Sequence, residues 1–147
     1  MKPRIDLLES LHTLLTITLS EPSYRERFNM DIWIVKHTDR LTGELANLGN
    51  VRLKDTHANA VGWAIELLPD WQEVFEIKYD GGYGSIILRA NPDVRGTDAL
   101  IKGLCISETA VYFIFNTISY RSKSITPNMV AFRIKKFITT YHNESNH

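Results

Sequence analysis

The stretch from Val74 to Leu88 constrains the fold more than any other part of this sequence. Val74, Phe75, Ile77 and Tyr79 form one β-prone run and Ile86, Ile87 and Leu88 another, with Asp80-Gly81-Gly82-Tyr83-Gly84 between them. Glycine takes positive φ without steric cost, so a glycine-rich joint between two such runs predicts a β-hairpin over about 73–90.

Helical patterns surround it. Pro3 suits a first helical turn, and Leu7, Leu8, Leu11, Leu14, Leu15 and Thr18 recur at spacings of three and four up to Leu19. Ile34, Leu41, Leu45 and Leu48 share a face that predicts a second helix from about Met30, closed by Gly49. Met30 to Val35 can also be read as a short strand, and Asp39 to Leu48 is the firmer part of the helix. Asn50 to Lys54 suits a short edge strand or an extended link. A third helix is expected from His57 to Leu68, opened by Asp55 or Thr56 and stopped by Pro69. Asn91–Gly96 reads as a loop and Thr97–Leu104 as a short helix. Thr126-Pro127 opens a last helix lined by Met129, Val130, Ile134, Phe137, Ile138 and Tyr141, with 143–147 as a frayed tail.

The segment from Asp98 to Ser119 admits two readings. Val111, Tyr112, Phe113, Ile114, Phe115, Thr117 and Ile118 are dense in β-branched and aromatic types, which favours a central strand near 110–119 buried on both faces. Alternatively, Asp98 to Val111 resembles a helix-turn-helix, with Ile101, Leu104, Ile106 and Val111 at its apolar positions. Cys105 then stands where the turn glycine belongs, and Ser107 caps the second helix. The strand is the favoured reading, because a recognition helix presenting Tyr112, Phe113 and Phe115 has few donors for base edges. The expected fold is therefore α+β: N-terminal helices on a small, mostly antiparallel sheet with a C-terminal helix, in one domain over 1–147.

Function is less constrained. The chain has 17 Lys plus Arg against 17 Asp plus Glu, which argues against an all-over basic nucleic-acid binder. The zero sum nevertheless conceals segments. Residues 55–80 hold six acidic and one basic side chain (−5), whereas 95–136 hold seven basic and two acidic (+5). Such polarity can steer an oppositely charged partner or a second copy.

Catalytic patterns are weak. His12, His37, His57, His142 and His147 are scattered and Cys105 is the single cysteine, so no zinc spacing occurs and no disulfide can close within the monomer. A lone thiol between Leu104 and Ile106 reads as buried and inert, in a reducing, cytoplasmic compartment. The glycines at 81–84 join two strands and lack the Lys-Ser/Thr of a phosphate loop. Ser85 has no sequence-level base. Asp55, His57 and Glu66, with Asn59 and Asp70 nearby, form the best acid–base set, against the simpler reading of Asp55 as a helix cap and Glu66 as solvated.

The N-terminal stretch lacks an unbroken signal-like apolar core, and no run spans a bilayer, so no membrane partner is expected. The favoured reading is a small non-enzymatic binding or regulatory protein with no cofactor, acting on another protein or on itself as a homodimer. One alternative is a nucleic-acid-associated regulator using Arg121, Lys123, Arg133, Lys135 and Lys136. A third is an enzyme around Asp55, His57 and Glu66.

Overall fold

The computed structural model describes residues 2–36 and 56–145. Along them run α1 (Ile5–Thr16), α2 (Pro22–Arg25), β1 (Ile34–Lys36), β2 (Thr56–Ala58), α3 (Ala60–Leu67) and α4 (Pro69–Val74). They continue with β3 (Phe75–Asp80), β4 (Tyr83–Leu88), β5 (Asn91–Arg95), α5 (Gly96–Leu104), α6 (Glu108–Phe115) and α7 (Pro127–Ser145). The class is α+β, as expected.

The hairpin is present. β3 and β4 pair antiparallel from Phe75 opposite Leu88 to Asp80 opposite Tyr83, and Gly81 turns at φ 65°. Alternation along β3 sends Phe75, Ile77 and Tyr79 inward while Glu76, Lys78 and Asp80 meet solvent. Among the described residues the sheet has five strands in the order β2-β1-β4-β3, with β5 also on β4. Because β3 follows one edge of β4 throughout, β1 and β5 divide the other edge. β1 meets Tyr83 and Gly84, and β5 meets Ile87 and Leu88.

The helices close the core over this sheet. α1 buries Leu7, Leu8, Leu11, Leu14 and Leu15 and packs on α7 and α3, α5 lies on β4, and α6 contacts both α5 and α7. Trp71 ties these layers together. Its Nε1 donates to the Leu7 carbonyl at 2.9 Å, and its ring stacks on Phe75 with centroids 5.2 Å apart. No helix among the described residues is long and apolar enough to cross a membrane.

Several expectations are corrected. Residues 108–115 are helix α6, followed by a 3-10 turn over Thr117–Ser119, and not a central strand. Ser107 Oγ accepts from the Ala110 N–H at 3.1 Å, and Val111, Ile114 and Phe115 are buried at helical spacing. Cap and periodicity outweigh β-propensity here. The second helix does not reach back to Met30. Asn29 Oδ1 instead accepts from the Asp31 N–H at 2.9 Å, a local turn that delivers the chain into β1. The rest of that helix, the strand or link expected at 50–54 and Asp55 lie outside the described residues. The third helix starts at Ala60, capped by Asn59, while Thr56–Ala58 belongs to the sheet. Asn91–Arg95 is a strand, its Pro92 tolerated at an edge. α7 carries the supposed tail to Ser145 as helix.

Candidate binding cleft

A cleft of about 740 Å³ opens where segment 30–35, the start of β4, the start of α5 and α6 with its following turn converge. Its first wall is held by backbone chemistry. The Asn59 N–H donates to the carbonyls of Ile32 (3.1 Å) and Trp33 (3.2 Å), while Asn59 Oδ1 accepts from the Gly62 N–H at 2.8 Å. This approach requires glycine, since a Cβ on Gly62 would stand 1.9 Å from the Trp33 carbonyl oxygen. The seam of β1 and β4 is lined by Ile34, Val35, Tyr83 and Gly84.

The opposite wall is the start of α5 (Thr97, Asp98, Leu100) with α6 and the turn after it, and the corner joining the two helices lies behind this lining. Cys105 ends α5 at φ 55°, ψ 43°, a left-handed conformation that L-residues with a Cβ rarely take. The chain turns there, and Ser107 starts α6. Two consecutive helices joined by a short turn are therefore present, with Cys105 at the left-handed position expected of a turn glycine. The thiol is half-buried, not sealed in the core, and its Sγ lies 3.4 Å from the Lys102 carbonyl.

The cleft's surface is aromatic and acidic. Trp33, Phe115 and Leu100 line it together with Tyr83 (70% exposed), Tyr112 (45%) and Ile118 (77%). Those last three are among five large hydrophobic side chains left exposed in the described residues. Among the described residues, Asp31, Asp98 and Glu108 are the charged groups of the lining, and these residues include no Lys, Arg or His there. Two of these carboxylates, Asp98 and Glu108, sit inside the stretch whose linear sum is +5. The local charge of the cleft is thus opposite to that of the segment that builds half of it.

The basic residues separate into two roles. Arg133 Nη1 donates to the Phe113 carbonyl and to Ser119 Oγ, both at 2.7 Å, and its Nη2 donates to the Ser119 carbonyl at 2.9 Å. Its guanidinium also lies over the Phe113 and Tyr120 rings. The Tyr120 hydroxyl donates to the Ile114 carbonyl, and burial pushes this phenol far above the ordinary tyrosine range despite the opposing pull of Arg133. Arg133 thus fastens the turn after α6 onto α7. Arg121, Lys123, Lys135 and Lys136 remain exposed. Lys135 and Lys136 are on α7, and Arg121 and Lys123 are on the loop before it.

The acid–base set does not assemble around Glu66. That carboxylate meets Lys36 at 2.9 Å, beside the Tyr79 ring. Burial draws the Lys36 ammonium down, but Glu66 and then Tyr79 more than offset it, so the net shift is upward. His57 stands opposite Val35, and Thr56 opposite Lys36. Strand alternation therefore directs His57 to the other face of the sheet from the Lys36–Glu66 pair. Asp70 accepts from Ser10 Oγ at 2.6 Å and from its neighbour Trp71 N–H. Ser85 Oγ lies 3.4 Å from the Lys78 carbonyl and has no base beside it in the described contacts. Among the described residues, no group of three or more His, Cys, Asp or Glu is placed to hold a metal ion.

None of the cleft's exposed groups stands out as a site in the sequence. Hairpin alternation does place Tyr83 on the face opposite Tyr79, but nothing in the sequence shows that this face is left uncovered there. No family model, no curated protein and no solved structure matches this chain.

Proposed function

We propose that this chain is a non-enzymatic binding protein whose cleft receives an apolar, cationic segment of a partner polypeptide. One observation carries the reading. Tyr83, Tyr112 and Ile118 are exposed around a single concavity whose charged groups among the described residues, Asp31, Asp98 and Glu108, are carboxylates. Exposed aromatics at a concave site supply contact area with little rotamer entropy to lose, and clustered like charges select the sign of the partner. The single cysteine fits a reducing compartment, and we place the protein in the cytoplasm on that ground.

A nucleic-acid partner is supported less well. If α6 were a recognition helix, its first turn would bring Glu108 to the phosphates, and Tyr112 would be its main outward group. Arg133, one of the five cations of that reading, is committed to carbonyls and a hydroxyl of its own chain.

The test is titration of a synthetic amphipathic peptide carrying Leu, Phe and Lys, followed by Trp33 fluorescence and calorimetry. Binding is expected to weaken about tenfold or more in Tyr112→Ala, consistent with truncation of an interface anchor. It should also weaken with added salt and in the Asp98→Asn/Glu108→Gln variant. A peptide affinity indifferent to all three changes defeats the proposal. So does tight binding of duplex DNA that Lys135→Glu/Lys136→Glu abolishes.

A further inference from the structure

We propose that the segment this cleft receives is the outer face of α7 of a second copy of the chain. The inference rests on the cleft being a polypeptide-binding site and adds the identity of the occupant.

The chain itself carries what the cleft calls for. Phe132 is 68% exposed on α7, and Lys135 and Lys136 follow at three and four residues, both exposed. On a helix those positions neighbour one another, so one apolar anchor is flanked by two ammonium groups. The cleft offers the complement: an aromatic-lined concavity bordered by Asp31, Asp98 and Glu108. None of the ion pairs Arg4–Asp6, Lys36–Glu66 and Glu76–Arg89 uses any of these five charged residues.

The two patches are also independent. No residue of α7 lines the cleft, and α6 stands between them, facing the cleft with Glu108, Val111, Tyr112 and Phe115 and meeting Arg133 of α7 through Phe113. A molecule can therefore present both at once, and its own α7 does not fill its own cleft. Contact between unlike patches on identical chains is a heterologous interface.

A charge-swap pair tests this. One variant carries Asp98→Lys and Glu108→Lys, the other Lys135→Glu and Lys136→Glu, and masses are followed by sedimentation over a range of concentration and salt. Wild type is expected to associate as concentration rises and to dissociate as salt rises. Each variant alone sets like charge against like charge and stays monomeric. Mixed, the two restore association, because each contact again joins opposite charges, and this recovery shows that both are folded. Phe132→Ala should raise the dissociation constant about tenfold or more, the loss of a buried aromatic anchor. A wild type that remains monomeric throughout overturns the inference, as does a mixture that remains monomeric. If the synthetic peptide still binds in an Asp98- and Glu108-dependent way, only the identity of the partner is lost. If the peptide does not bind either, the cleft reading falls with it.

Discussion

Arg133 places its guanidinium carbon 3.7 Å from the centre of the Tyr120 ring, with Phe113 on the same group at 4.6 Å. Three hydrogen bonds to Phe113 and Ser119 complete its surroundings. One cation thus joins α7 to the end of α6 and to the 3-10 turn. Arg133→Met is expected to cost about 2–4 kcal/mol, since charged hydrogen bonds and a stacking contact go together. Arg133→Lys should recover only part of this, because an ammonium cannot form the planar fork. Urea unfolding measures both; equal stability of wild type and Arg133→Met would make the residue a solvated surface charge.

Alkaline pH should unfold the protein through Tyr120. Burial raises the folded-state value of this phenol above its unfolded value of about 10. The folded state therefore holds a proton that the unfolded chain releases. The stabilisation is fully present below about pH 10 and is lost as pH climbs from there through the folded-state value. Lys36 is also raised and acts in the same sense. Denaturation monitored between pH 7 and 11 should show a stability that declines at the alkaline end, with a shallower decline in Tyr120→Phe. The same decline in both would assign it elsewhere.

Gly62→Ala should be among the most damaging small substitutions. The added methyl would meet a backbone carbonyl, that of Trp33, which cannot rotate away as a side chain does. Either segment 30–35 leaves the start of α3 or the helix shifts, at a cost of about 3 kcal/mol or more. Near-ultraviolet dichroism of the tryptophans and thermal melting would register this. A variant with wild-type melting and an unaltered spectrum would contradict the packing described.

Cys105→Gly should stabilise. A left-handed residue with a Cβ costs about 1–2 kcal/mol, partly offset by the extra freedom glycine gives the unfolded chain. The net gain is about 0.5–1 kcal/mol, a few degrees in melting temperature. Cys105→Ala keeps the conformational cost and is the control, so the prediction is the difference between the two variants.

The class of fold and its hairpin were legible because both depend on local pattern: alternation in β3, two glycines between the strands, and leucines at helical spacing in α1. Residues 110–119 misled for a physical reason. Their β-branched and aromatic side chains favour a strand, yet Val111, Ile114 and Phe115 repeat at three and four, and Ser107 stands where a cap belongs. The strand at 91–95 was obscured by Pro92, which an edge tolerates. Arg133 read as one more surface cation because Tyr120 and Ser119 reach it only through tertiary packing. The cleft was invisible for the same reason: Trp33, Tyr83, Asp98 and Tyr112 belong to four separate segments. Net charge along 95–136 differs in sign from the cleft lining, since Asp98 and Glu108 are outnumbered there by lysines and arginines that do not line it.

The division of β4's free edge between β1 and β5 has a kinetic consequence. β3 and β5 reach β4 from immediately adjoining chain, so both pairings close short loops and can form early. β1 must bring Val35 to Tyr83 across everything between them, a closure whose entropy is compensated only when the rest is in place. The seam of β1 and β4, which lines the cleft, is therefore expected to form after the β3–β4 hairpin and to open before it. Amides of Ile34 to Lys36 are expected to exchange with deuterium faster than those of Ile77 to Tyr79. Slower exchange in β1 than in β3 would reverse that order of assembly. If the proposed partner occupies the cleft, it would close over a seam of low durability, so this part of the sheet would gain more in lifetime than the hairpin.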